Sequence, residues 1–243
     1  MLDIRKIFSV IAGISLILGI AFIAFSFLSA KNISLTKNSN LSPSPAIAYL
    51  DLTKMNIFMR PVDKDDHIRG RSNAPIKLVE FADFECPFCK KLHMTMKELT
   101  KEYETKGKVA WVYRHAFSEA LHKKARQEAE ASECASELGG NDAFWKYADK
   151  IFEITPSDDG LDLALLPQIA KEIGLNEEEF NTCLSGRRHE QRVTRDISDA
   201  MTAGARGTPY VVIVGPNNKR YDFSGTQPKE FIKNLIDLAL AGK

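Results

Sequence analysis

The stretch Ile76-Lys77-Leu78-Val79-Glu80-Phe81-Ala82-Asp83-Phe84-Glu85-Cys86-Pro87-Phe88-Cys89 decides the fold. Ile76 to Phe81 is short and rich in β-formers, which predicts a buried strand. From Lys90 to Lys106, Leu92, Met96, Leu99 and Tyr103 recur at helical spacing, and Gly107 ends the helix. Val109 to His115 is again strand-like. Strand, helix and strand with a right-handed crossover give a parallel pair with a helix packed on it.

Cys86 and Cys89 therefore stand where a strand ends and a helix begins. Free backbone N–H groups and the helix dipole stabilise negative charge there, so a thiolate has a lowered pKa. Pro87 falls at the first helical position, where its missing N–H costs nothing. The two-residue gap puts both sulfurs on one turn, able to close a small, readily exchanged disulfide ring. Cys86, at the open end, is the sulfur that attacks or is attacked, and Cys89 the one that resolves the mixed disulfide. Two other readings of the spacing stand beside this one. Half of a zinc site would need two more ligands, yet the other cysteines are distant in sequence and no His-x-x-x-His pair accompanies them. The second is a pair of inert structural cysteines.

Working outward, strand character returns at Tyr210 to Val214. Gly215-Pro216-Asn217-Asn218 makes a turn, and Arg220 to Phe223 is the returning strand of a hairpin. Gln227 to Leu240 closes the chain as an amphipathic helix. Between the two halves the spacing predicts helices over Glu119 to Leu138, stopping at Gly139-Gly140, and over Asp142 to Glu153, Leu161 to Ile173, Glu177 to Leu184 and Glu190 to Ala203. The outline is an α/β fold of βαβ, an insertion at about 118–204, then ββα.

Ile7 to Leu28 is a 22-residue apolar run after Arg5 and Lys6. As a helix it would measure about 33 Å, enough for a bilayer core of roughly 30 Å. A cleaved signal peptide is the other reading, though Leu28 is a poor residue for a small-x-small cleavage site. Either one exports the rest of the chain, because the basic flank stays in the cytoplasm. We therefore expect a single N-terminal transmembrane helix within residues 1–30, a Ser-, Asn- and Pro-rich tether over 31–64, and a globular domain over 65–243 on the extracytoplasmic side of the cell membrane. Within the tether, Ile57-Phe58-Met59 is an apolar patch that either docks on the domain or forms an edge strand. With 33 basic and 32 acidic residues, the chain lacks the charge excess of a nucleic-acid binder.

Phe84-Glu85-Cys86-Pro87-Phe88-Cys89, preceded by Val79-Glu80-Phe81, resembles the DsbA family of disulfide oxidoreductases, as does Gly207-Thr208-Pro209-Tyr210 at a late strand. The likeness runs from about Asp65 to Leu240 and implies a thioredoxin-like fold with an inserted helical domain. It implies that Thr208 and Pro209 form a cis-proline loop facing the redox pair, where a substrate strand can lie. It further places a buried acid at Glu80; a carboxyl between Val79 and Phe81 should have a raised pKa and can take the Cys89 proton through water. Asp83 and Glu85 read as solvated loop acids. Cys134 and Cys183 are similar to a structural disulfide pair of the family, with two free buried thiols as the alternative. One departure matters: where strong oxidants of the family carry His, this chain has Phe88.

The five histidines show no metal spacing, and His115 reads as a polar residue at a strand end. No cofactor is implied. The expected activity is exchange of a Cys86–Cys89 disulfide with cysteines of exported proteins, as an oxidase recharged by a membrane quinone-linked partner. The globular part is expected to be a monomer, with the membrane engaged through residues 7–28. Isomerase or reductase action, or a non-catalytic module holding a client or a metal, are the alternatives.

Overall fold

In the computed structural model, which describes residues 58–104 and 106–242, strand β2 (Ile76–Ala82) lies at the centre of a five-stranded sheet. The strand order is β1 (His67–Gly70), β3 (Val109–His115), β2, β4 (Tyr210–Val214), β5 (Arg220–Ser224). Only β2 and β3 run parallel; the other pairs are antiparallel. Among the described residues the α-helices around the sheet are α1 (Pro87–Glu104), α2 (Ala125–Ile154), α3 (Leu166–Glu172), α4 (Glu177–Ser185), α5 (Glu190–Thr202) and α6 (Lys229–Leu240). This is the thioredoxin-like βαβ…ββα order with helices inserted between its halves.

The period-two alternation of strands divides the core into two layers. Ile76, Leu78 and Ala82 of β2, Trp111 and Tyr113 of β3 and Val211 and Ile213 of β4 face one side, against Cys89, Leu92, Met96 and Leu99 of α1. Val79 and Phe81, Val112, and Tyr210 and Val212 face the other, against Ala200 of α5, Ala203 and Met59. Because both faces are covered, these strands are near-continuously apolar. Glu80 falls in phase with Leu78 and Ala82, which puts its carboxyl on the α1 side.

The structure departs from the sequence-based expectation at the edge of the sheet and at the start of the insertion. Strand β1 was not foreseen; it is a four-residue edge strand with a polar first residue and too short to show alternation. The helix expected from Glu119 begins only at Ala125. The Asp159 carboxylate accepts the backbone N–H groups of Lys123 and Lys124, both at 3.0 Å, so the helix is capped from a neighbouring loop and residues before it stay outside. The interruption expected at Gly139-Gly140 is present: Gly140, at φ 72° and ψ −169°, a conformation other residues rarely adopt, breaks α2 into two helical stretches, the second running to Ile154. The Ile57-Phe58-Met59 patch splits at its visible end, with Met59 buried in the second layer and Phe58 exposed. Residues 1–30, which carry the expected membrane span, lie outside the described residues. Among the described residues no helix is long and apolar enough to cross a membrane.

A buried ion network fixes the segment before β1. The Arg114 guanidinium, fully buried on β3, donates to both carboxylate oxygens of Asp66, at 2.9 and 2.8 Å, and to Asp199 of α5 at 2.6 Å. It also donates to the carbonyls of Arg60 and Pro61. His115 is likewise no simple strand-end residue. It is buried, and its Nε2 lies 3.1 Å from Glu133, which also meets His67 at 2.8 Å. On the far side of the insertion, Cys134 of α2 and Cys183 of α4 form a disulfide that closes a span of 49 residues.

These anchors lead to two expected stability outcomes. Arg114→Met leaves Asp66 and Asp199 buried without their cation and should destabilise the domain by about 3–5 kcal/mol in chemical denaturation. Wild-type stability in that variant would mean water reaches the network. Replacing Cys134 and Cys183 together by Ala should lower stability by up to roughly 4 kcal/mol on the loop-entropy argument, with thiol exchange by the folded protein unchanged. Loss of exchange at unchanged stability would instead assign that pair a redox role.

Candidate active site

Helix α1 starts at Pro87, so the loop Asp83-Phe84-Glu85 and the first turn present both thiols at its amino end. Their environments differ sharply. Cys89 is fully enclosed, whereas Cys86 keeps a small exposed fraction. The Cys86 Sγ lies 3.5 Å from the Thr208 carbonyl, to which it donates as a thiol, and the Thr208–Pro209 peptide is cis. The Asp83 N–H donates to Cys89 Sγ at 3.4 Å, and the Asp83 carbonyl accepts the Cys86 N–H at 3.2 Å. The Phe88 side chain, between the cysteines, points outward with 61% exposure and offers the thiols no polar group.

This asymmetry divides the acidities. A hydrogen bond from Cys89 pulls the Cys86 thiol down to about 6 against the opposing effect of burial, and the N–H groups of Cys89 and Phe88 with the Thr208 side chain add to it. Burial pushes Cys89 well above the ordinary thiol range, and its hydrogen bond to Cys86 and the Cys86 charge push the same way. At neutral pH the pair is one thiolate and one thiol, with the charge on the accessible sulfur.

Glu80 lies beneath, fully buried. Trp111 Nε1–H donates to its Oε2 at 2.7 Å, while Oε1 has no partner. Burial pushes its pKa up to about 8, against the lowering by Trp111. A carboxyl poised near neutrality on the Cys89 side of the sheet can take and return a proton.

The loop acids are not solvated, contrary to their sequence-based reading: Asp83 and Glu85 are both buried. Glu85 accepts the backbone N–H groups of Gly160 at 3.2 Å and Leu161 at 3.3 Å, tying the cysteine loop to the insertion. Asp83 Oδ2 meets His122 Nδ1 at 2.6 Å. Glu128 of α2 is buried against Glu85, and burial and that neighbour push its pKa up to about 10, so it is protonated at neutrality. Sequence reading missed Asp83, His122 and Glu128, because loop burial depends on how the insertion folds back. Their one local trace is the acid on each side of Phe84 within an otherwise apolar approach to Cys86. Cys134 and Cys183, which the sequence placed together by resemblance, lie away from this site in their disulfide.

A redox dithiol at a helix start, a cis-proline loop against its reactive sulfur and a buried acid below it define the class of thioredoxin-fold thiol:disulfide oxidoreductases. A sequence profile described as Thioredoxin matches residues 63–237, and the chain belongs to that family, in its DsbA-like form. Among solved structures it is similar to DsbA2 of Pseudomonas aeruginosa, with 26% identity and a TM-score of 0.60, covering 73% of this chain and 96% of that one. Oxidised BdbD of Bacillus subtilis matches with 25% identity and a TM-score of 0.64, over 76% and 98% of the two chains. Among curated proteins it is 35% identical over 163 residues to the Na(+)/H(+) antiporter NhaA 3 of Salinispora tropica, covering 65% of this chain. The Na(+)/H(+) antiporter NhaA 1 of Salinispora arenicola is 31% identical over 190 residues, covering 76% of this chain. The chain spans only 23% and 26% of the length of these two relatives.

The raised acidity constant of Glu80 has a stability consequence with a definite sign. Its pKa is about 8 in the folded chain against 4.5 ordinarily, so the folded state holds a proton that the unfolded chain releases. The stability tied to that proton is complete below pH 4.5 and is lost as pH rises through 8. Glu80→Gln should therefore gain on wild type as pH rises across this window, by up to roughly 4 kcal/mol at pH 8 in denaturant melts. A difference that does not grow with pH would place an ionised carboxylate at residue 80.

Proposed function

We propose that this protein is an oxidase that donates the Cys86–Cys89 disulfide to reduced cysteines of exported proteins, on the extracytoplasmic side of a membrane to which residues 7–28 anchor it. The observation that carries the direction is the low pKa of Cys86 beside the high pKa of Cys89. A stabilised thiolate favours the reduced form of the pair and makes Cys86 a good leaving group, and both properties make a disulfide oxidising.

The exchange runs in two displacements. A client thiolate attacks Cys86 Sγ; the client–Cys86 bond forms, the Cys86–Cys89 bond breaks, and Cys89 leaves as a thiolate that takes its proton from Glu80. The second client cysteine, after losing its proton to solvent, attacks the client sulfur of the mixed disulfide and expels the Cys86 thiolate. The client is oxidised by two electrons, the protein is reduced by two, and a membrane quinone-linked partner restores the disulfide. Pro209 presents no N–H, and the cis-proline loop beside Cys86 is where an extended client can pair. A groove next to that loop, lined by Phe117, Leu121, Ile197, Met201 and Ala205, suits an unfolded chain with apolar residues near its cysteine. Leu121 and Met201 are 74% and 66% exposed. The Cys134–Cys183 disulfide and the apolar run with its basic flank support export.

The test uses a reduced client peptide with two cysteines. Wild-type protein in disulfide form should oxidise it, Cys86→Ala should be inactive, and Cys89→Ala should accumulate a mixed disulfide through Cys86 visible on non-reducing gels. Equilibration with glutathione should place the potential nearer −120 mV than −270 mV, roughly the span of known thioredoxin-fold proteins. A potential at the reducing end would make the protein a reductase.

A further inference from the structure

Phe88 faces solvent and gives the thiolate no charged group, and Lys90 on the same helix turn sends its ammonium to the carbonyls of Glu153 and Thr155. A cationic group instead comes from the loop before α2. His122 lies in the segment that the external Asp159 cap keeps out of the helix, and it shares one groove wall with Asp83, Gly207 and Thr208. Its Nδ1 meets Asp83 Oδ2 at 2.6 Å, and its Nε2 lies 3.6 Å from Asp158. Asp83 is the residue whose backbone holds both cysteines, through its N–H to Cys89 and its carbonyl to Cys86. Its Oδ1 is already occupied by the Glu85 N–H at 2.9 Å. The imidazole is thus oriented on the frame that holds the sulfurs, with its side chain only 15% exposed.

We propose that His122, clamped by Asp83, is a positioning residue whose imidazolium stabilises the Cys86 thiolate from across the groove and so sets the reactivity of the redox pair. The proposal rests on the thiol-exchange reading but not on its direction. Burial opposes charge on His122, yet the hydrogen bond and charge of Asp83 outweigh it, and the charges of Cys86 and Asp159 add to the upward shift. Coupling of this kind is reciprocal: if the thiolate holds the proton on His122, that proton holds the thiolate. The charged groups around His122 are Asp83 from the cysteine loop, Asp158 and Asp159 from the loop after α2, Cys86 itself, and Arg206, which lines the same groove just before the cis-proline loop and keeps its charge in both redox forms. The three carboxylates persist in both redox forms. Only the Cys86 charge disappears when the disulfide forms, so a comparison of the two forms isolates it.

The experiment is an NMR titration of His122 in the wild-type chain, oxidised and reduced. Its pKa should be higher in the reduced form by about half a unit, roughly threefold in proton affinity. Equal values in the two forms overturn the proposal. In parallel, His122→Gln should raise the thiolate pKa of Cys86, read by ultraviolet absorbance. It should also shift the glutathione equilibrium about threefold toward the protein disulfide, with His122→Lys restoring both. Unchanged thiolate pKa and equilibrium in a folded Gln variant also overturn it. Oxidation of the reduced peptide by the wild type is scored separately, so a failed exchange reading appears as lost turnover with the His122 shift intact.

Discussion

Everything in this domain depends on seating one sulfur at the open end of α1 while its partner is sealed beneath it. The helix start supplies the N–H groups of Phe88 and Cys89 to Cys86, and the core closes over Cys89 completely. Two cysteines three positions apart on one turn would otherwise be chemically alike. The hydrogen bond and N–H groups given to Cys86 and the complete enclosure of Cys89 separate their acidities and give each a different step. The central position of β2 makes this possible, because only a strand flanked on both sides can deliver the helix start into a fully covered layer.

That same covering is what charges the site with buried acids. A carboxyl on the α1 face of β2 has nowhere to find water, so Glu80 stays protonated near neutrality with one bond from Trp111. Asp83 meets the same burial with a different solution: its two oxygens are taken by a backbone N–H and by His122. Glu85 uses the backbone of Gly160 and Leu161. Each of the long-range pairings joins the cysteine loop to a segment far along the chain, and those of Asp83 and Glu85 reach into the insertion. The inserted helices therefore act as more than a cover, since they complete the polar shell of the redox loop.

How much of this was legible in the sequence depends on the range of the forces involved. The strand before Cys86, the helix after it and the hairpin at Tyr210 rest on local periodicity, and they appear in the structure with ends shifted by at most three residues. Glu80 was legible because an acid within a strand of apolar neighbours carries its own anomaly. Asp83 and Glu85 were read as solvated because loops usually are; only the return of residues 157–161 over them reverses that. Strand β1 escaped notice for the complementary reason, as its stability comes from pairing with β3 and from the Arg114 network rather than from its own four residues.

The misplaced start of α2 shows what such a local error conceals. The Glu-, Ala- and Lys-rich composition from Glu119 onward is good helix material, and local propensity alone would extend the helix back over His122. Asp159 competes with that propensity, because its carboxylate takes the N–H groups of Lys123 and Lys124, the two residues just before the helix start. Held outside the helix, residues 119–124 are free to fold toward the cysteine loop, and there His122 reaches Asp83 while Leu121 stays exposed beside it. One long-range cap thus converts a stretch of helical sequence into a wall of the groove beside the cis-proline loop, with exposed Leu121 and Asp83-bound His122 on adjacent residues.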